Sequence, residues 1–151
     1  MSSSSSVPGL VAIEAILRAG HAAIDELHRR LAERGHPDVR PAHGYAFQAI
    51  GPDGTTATAL GERLNITKQA AGQMVDELTR LGYVTREPDP DDGRRRLVQL
   101  TPRGVDCLRA SADVFEEIVA EWRARGDDVD AAVAALGGLT RLYGGGLRPI
   151  W

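Results

Sequence analysis

The sequence predicts a mainly α (α+β) fold, a run of helices interrupted once by a short β-hairpin, and three observations carry that expectation. Residues 67 to 82, TKQAAGQMVDELTRLG, place apolar side chains at Ala71, Met74, Val75, Leu78 and Leu81, the three-and-four spacing of one helix face. A shorter helical segment, ATALGERLN, stands just before it and ends on Asn65, a residue that tolerates the positive φ of a tight turn. Just after it, YVTRE (83 to 87) and RRLVQL (95 to 100) are short and β-branched, and the PDPDDG between them cannot continue a strand. Two helices across a tight turn, followed by a hairpin, make a winged helix-turn-helix. Long helical stretches on either side complete the architecture.

Taken in order, residues 1–8 read as a disordered tail, since MSSSSS is low in complexity. It has neither a basic start nor a long apolar stretch, so it is not read as a secretory signal. Residues 9–36 carry Ile13, Leu17, Gly20, Ile24, Leu27 and Leu31, steps of four and three that form a heptad seam, and Gly35 and Pro37 stop the helix. The winged domain is expected over residues 40–101. It opens with a helix at PAHGYAFQAI (41 to 50), with proline tolerated in the first turn, and a turn at Gly51-Pro52-Asp53-Gly54. Thr55 to Ala57 reads as a brief strand closing the hairpin sheet, and Thr58 as the cap of the next helix. In the hairpin, Val98 and Leu100 share one face.

Residues 102–151 are the second flanking region. Thr101 caps a helix that has Pro102 at its first position and a second seam at Val105, Leu108, Ala112, Phe115, Val119 and Trp122. A last helix over 127–143 is weakened by Gly137 and Gly138, and the tail GGGLRPIW holds Leu147, Ile150 and Trp151. Seams on residues 9–36 and 102–151 would lie bare unless covered. The economical cover is a second copy, so N- and C-terminal dimerisation helices and a homodimer are expected, with two winged lobes held apart.

The chemistry of the central stretch points to duplex DNA. Thr67 is a good N-cap and Gly82 a good stop for the second helix. Its outer face carries Lys68, Gln69, Gly72, Gln73, Asp76 and Arg80, and the first turn of such a helix is where base edges are met in a major groove. Lys68 is the only lysine in the chain. The returning limb of the hairpin begins Arg94, Arg95, Arg96. The net charge is −3, and residues 55–104 hold eight basic and seven acidic side chains, so affinity has to come from local placement rather than a basic coat. Two equivalent readers would take half-sites of a pseudo-palindromic operator roughly 34 Å apart.

At these residues the chain resembles the MarR (multiple-antibiotic-resistance) family of winged helix-turn-helix transcriptional regulators. The run from Leu60 to Gly104, about a third of the chain, carries the resemblance through Asp89, Pro90, Asp92, Arg94, Val98, Leu100, Thr101 and Gly104. The resemblance implies a repressor released by a small-molecule effector, and a minor-groove role for Arg94. It also makes Thr67, Lys68, Gln69, Gly72 and Gln73 on the helix, and Asp92, Arg94, Arg95 and Arg96 on the wing, the candidate DNA contacts. Asp92 is placed to hold Arg94 by a charge-assisted bond. Gly93 stands where the family often has a further arginine, which removes a phosphate contact. By the same resemblance His43, Tyr45 and Phe47 would wall a pocket for a small aromatic or amphipathic ligand; core packing is the other reading.

Other chemistry finds less support. His21 and His28 are two turns apart, about 10.5 Å of rise, too far for one ion. That leaves His21, His28, His36 and His43 as polar residues at the seam edge, or as ligands of a site shared between helices. No metal or cofactor is called for. Cys107, the single cysteine, excludes an intrachain disulfide and reads as helix packing. No nucleophile–base pair or phosphate loop appears, so the chain is not read as an enzyme. No apolar run approaches the roughly 20 residues of a membrane span, and a cytoplasmic protein is expected. A DNA-binding dimer that senses nothing, and a winged helix used for protein–protein contact, are the competing readings.

Overall fold

The computed structural model describes residues 6–144. Among them the elements run α1 (Gly9–Glu33), α2 (Pro41–Ile50), α3 (Ala57–Leu64), α4 (Lys68–Arg80), β1 (Val84–Pro88), β2 (Arg96–Leu100), α5 (Pro102–Ala124) and α6 (Val129–Tyr143). The tail residues Leu147, Ile150 and Trp151 lie outside the described residues.

Local hydrogen bonding explains most boundaries. Thr67 Oγ1 accepts from the Ala70 amide at 3.1 Å and Thr101 Oγ1 from the Gly104 amide at 3.1 Å, each satisfying an amide of the first turn that has no partner within its helix. Asn65 closes α3 in the left-handed region at φ 54°, and Gly82 ends α4 at φ 82°. α3 is capped two residues earlier than Thr58. Thr56 is extended and its Oγ1 accepts from Ala59 at 3.1 Å, whereas Thr58 already lies inside the first turn. The brief strand expected over 55–57 shrinks to one bridge, Thr55 with Val98, because the helix starts at Ala57.

The hairpin is antiparallel, with Val84 opposite Leu100 and Arg86 opposite Val98. Tyr83, expected as its first strand residue, stands just before β1: its carbonyl still accepts from the Thr101 amide at 3.0 Å, while its side chain is fully buried in the core. The tip folds on its aspartates: Asp89 Oδ1 accepts from the Asp91 amide at 2.9 Å and Asp92 Oδ1 from the Arg94 amide at 3.0 Å. Asp92 therefore shapes the turn through the Arg94 backbone and not through its guanidinium, since an Asx turn is the nearer partner.

One core joins the flanking helices to the winged segment. Leu27 and Leu31 of α1, Phe47 and Ile50 of α2, Leu60 of α3, Leu78 of α4 and Val114 of α5 pack around Tyr83. Outside the core, α1 and α5 are tied by an ionic network: Arg30 donates to Glu117 and Glu121 at 3.2 and 2.8 Å, and Arg34 donates to both oxygens of Glu117. Ile24 and Leu108 pack partly against the core, and much of the rest of both seams is bare. Ile13, Leu17, Phe115 and Trp122 are exposed, as are Leu136 and Leu139 of α6.

Two histidines expected at the seam edge are buried instead. His36 is 2 % exposed, with Nδ1 at 3.0 Å from the Tyr83 hydroxyl and Nε2 at 3.0 Å from Asp106. Arg103 joins the same network, donating to the Tyr83 hydroxyl at 3.1 Å with its guanidinium 4.7 Å above the ring. These polar groups are partnered, so their burial costs little. Burial pushes the Cys107 thiol up to about 11, with Arg103 only a minor opposing influence, so it is a packing group.

Candidate nucleic-acid interface

α4 presents its buried face, Ala71, Val75 and Leu78, to the core and leaves Thr67, Lys68, Gln69 and Gln73 exposed. Gly72 sits at the flank of that exposed face, and a Cβ built there would meet nothing within 4 Å. The wing places Arg94, Arg95 and Arg96 beside the start of α3. Together with Lys68 and residues 56–59 they line a cleft of about 700 Å³, with Glu62 its single acid. Four cations thus converge on the amino end of a helix, whose free amides and dipole favour an anion. The arrangement suits a phosphate backbone lying across the cleft while the outer face of α4 enters a groove. Sequence reasoning found the cations but missed the helix start, Thr58 and the amides of residues 57 and 58. The sequence offers two threonines for that cap, Thr56 and Thr58, and only the extended backbone of Thr56 selects it.

His43, Tyr45 and Phe47 do not share one cavity. His43 stands one turn before Phe47, near the start of α2, where a separate cleft opens toward α4. Tyr45 and Phe47 line a hollow of about 280 Å³ between α1, α2 and α5, with His28, Leu31, Leu108 and Phe115 among its other walls. His43 lines a wider cleft of about 540 Å³ on the α4 side, with Arg40, Gln73 and Glu77. His43 itself is fully buried: its Nδ1 accepts from the Arg40 amide at 3.1 Å, capping α2, and its Nε2 lies 3.5 Å from a Glu77 oxygen. Arg40 pairs with the same carboxylate.

This clamp sets a pH dependence. Burial pushes the His43 pKa down, and so does the Arg40 charge, outweighing the pull of Glu77. Burial likewise lowers the pKa of His28. A proton on Nδ1 would also forfeit the Arg40 cap. Below the ordinary histidine pKa of 6.5 the unfolded chain takes up protons that the folded chain refuses, so stability falls as pH drops through that value. Glu77 acts in the same direction lower down. Desolvation opposes its ionisation, but Arg40 and His43 together hold it below its usual 4.5. The expected result is a melting temperature that declines from pH 7 to pH 5.5, and a shallower decline for His43→Gln. Equal slopes for the two proteins would remove His43 as a source.

The fold and this face define a winged helix-turn-helix protein with a cationic cleft beside its second helix. A model of the MarR family matches residues 38–95. The transcriptional regulator HosA of Escherichia coli O111:H- is 32% identical over 90 residues, covering 59% of this chain and 67% of that protein. The chain belongs to the MarR family and is a DNA-binding winged-helix transcriptional regulator, not an enzyme. Among solved structures, a MepR mutant of S. aureus bound to an oligodeoxyribonucleotide shares the fold at a TM-score of 0.64 and 17% identity, covering 91% of this chain and 97% of that one. Wild-type MarR of E. coli in its apo form does so at 0.64 and 20%, covering 92% and 99%. No helix among the described residues is long and apolar enough to cross a membrane.

Proposed function

We propose that the protein is a homodimeric repressor of a pseudo-palindromic operator, released when a small aromatic or amphipathic molecule binds. The observation that carries the DNA side of this reading is the cleft uniting Lys68, Arg94, Arg95 and Arg96 with the start of α3, next to the exposed Gln69 and Gln73. In this reading Arg94 lies in the minor groove, where readout is largely groove width and A·T against G·C. Gln73 offers a donor and an acceptor to adenine in the major groove. Thr67, Lys68 and Arg95 hold phosphates near the cleft, and Asp92 keeps the wing turn in shape.

The two kinds of contact are expected to fail differently. Arg94→Ala should weaken binding to all duplexes together and flatten the salt dependence, because fewer counterions are released. Gln73→Ala should cost about 1–3 kcal/mol at particular operator positions and leave the salt slope nearly unchanged. Both are measured by titrating duplexes that the wild-type protein enriches from a random-sequence pool, at several salt concentrations. A uniform loss across all duplexes for Gln73→Ala would remove it from base readout.

The effector reading is supported by the hollow behind Tyr45 and Phe47, with its apolar walls and the Nδ1 of His28 buried without a hydrogen-bond partner. Gly44 lines it, and a Cβ added there meets nothing within 4 Å, so a larger side chain fits the empty space. A ligand weakens DNA binding only as far as it prefers the non-binding conformation. Gly44→Leu is expected to bind DNA as the wild type does and to lose the response to aromatic ligands that release the wild type. Retention of the full response would place the effector elsewhere.

A further inference from the structure

The DNA-facing side of α4 carries one acid that the reading above leaves without a role. Asp76 follows Gln73 by three residues on the exposed face, and its side chain is 67 % exposed. A bare carboxylate there would stand among operator phosphates, a like-charge juxtaposition that opposes binding. It is not bare. Arg86 Nη1 lies 2.6 Å from Asp76 Oδ1, and Arg86 Nη2 donates to the Gly72 carbonyl at 3.3 Å.

The register of the hairpin explains the reach. Arg86 stands opposite Val98 and two residues after Val84, both buried against the helices, so its side chain leaves the strand on the helix side. Arg94, Arg95 and Arg96 enter no ion pair among the described residues and remain available to phosphates. One wing arginine is therefore spent on α4 while the others face outward.

We infer that Arg86 is a positioning residue for duplex recognition, which neutralises Asp76 and pins the middle of α4 to the wing through the Gly72 carbonyl. The inference rests on the reading that α4 enters the groove. Its two parts are separable. Neutralisation needs only a cation beside Asp76, whereas pinning needs the forked guanidinium, because a lysine ammonium is a point charge.

The test uses the full chain and a duplex enriched from a random-sequence pool by the wild type. Arg86→Gln should weaken binding about tenfold with its salt slope preserved. Asp76→Asn alone should bind as well as the wild type or better, and Arg86→Gln with Asp76→Asn should return to within about threefold of it. Arg86→Lys, which keeps the neutralising charge but loses the fork, should fall between the wild type and Arg86→Gln. Melting temperatures of all four variants should agree within a few degrees, since an exposed ion pair contributes about 0–1 kcal/mol. Three outcomes overturn the inference. A flattened salt slope for Arg86→Gln without rescue by Asp76→Asn would make Arg86 a phosphate contact. A loss for Asp76→Asn confined to one base pair would make Asp76 a base reader, accepting from a cytosine amino group. Four variants indistinguishable from the wild type would leave the pair without a part in binding. Failure of the wild type itself to bind any duplex would instead remove the DNA reading, and the two failures cannot be confused.

Discussion

Gly104→Ala is expected to remove much of the protein's stability, although alanine is the better helix former by about 1 kcal/mol. A Cβ on Gly104 would stand 2.3 Å from the Tyr83 carbonyl oxygen, a main-chain atom, and 3.3 Å from Leu100. That carbonyl cannot swing away freely. It accepts from the Thr101 amide at 3.0 Å, and the neighbouring Gly82 carbonyl accepts from the Thr101 hydroxyl at 2.6 Å. Relief has to come from lifting the first turn of α5 off the sheet or from dragging Tyr83 out of the core. Overpacking of this kind costs about 1–3 kcal/mol, and losing the packing of a large buried ring about 3–5 kcal/mol. Against a total stability of about 5–15 kcal/mol, most of the margin goes. Gly72→Ala is the control, because its Cβ has open space. It should raise stability by about 0.5–1 kcal/mol through the same helix propensity. Urea unfolding of the two variants checks the pair, and a Gly104→Ala protein as stable as the wild type would show that the first turn of α5 can yield.

Leu17→Asp and Leu139→Asp are expected to abolish the proposed homodimer. Leu17 is 47 % exposed within one protomer and Leu139 37 %, and they belong to a bare apolar surface with Ile13, Phe115, Trp122 and Leu136. α6 is the clearest case: its fifteen residues bury only Val129, and it carries Gly137 and Gly138 in its interior. A helix of that length is marginal alone in water, so packing has to supply its stability. An aspartate buried in such an interface keeps its charge without a partner, and symmetry repeats the penalty in both copies. A loss of about 4 kcal/mol corresponds to a thousandfold weaker dimer. Sedimentation should show monomer or aggregate at micromolar concentration, and DNA affinity should fall as the half-sites are bound separately. A wild-type chain that sediments as a well-folded monomer would sink the dimer itself.

The parts of the fold that were legible beforehand share a physical cause. Thr67, Thr101, Asn65 and Gly82 act on partners within three or four residues, so the sequence places cause and effect side by side. The MarR-type wing was readable for the same reason: Asp89 and Asp92 fold the tip onto their own backbone. Cap positions went wrong where two threonines competed, and only the extended conformation of Thr56 decided between them.

The candidate site divides along the same line. Lys68, Gln69, Gln73 and the three wing arginines could be named from one helix period and one charge run, but their meeting with the start of α3 could not. His36 is far in sequence from both Arg103 and Asp106, yet it meets Arg103 at the Tyr83 hydroxyl and Asp106 through its own Nε2. His43, grouped with Tyr45 and Phe47 by proximity in the chain, lines a different cavity, which the packing of α4 beside the start of α2 creates.

By itself the sequence determined the order of elements and the turn chemistry and named the candidates for meeting DNA, because periodicity, caps and Asx turns are short-range interactions written in neighbouring residues. Only the tertiary structure decided which histidines are buried, that Arg86 is committed to Asp76 while Arg94–Arg96 stay open, and where the cavities lie. Each of those depends on contacts ten to seventy residues apart, whose partners are selected by the packing of one shared core.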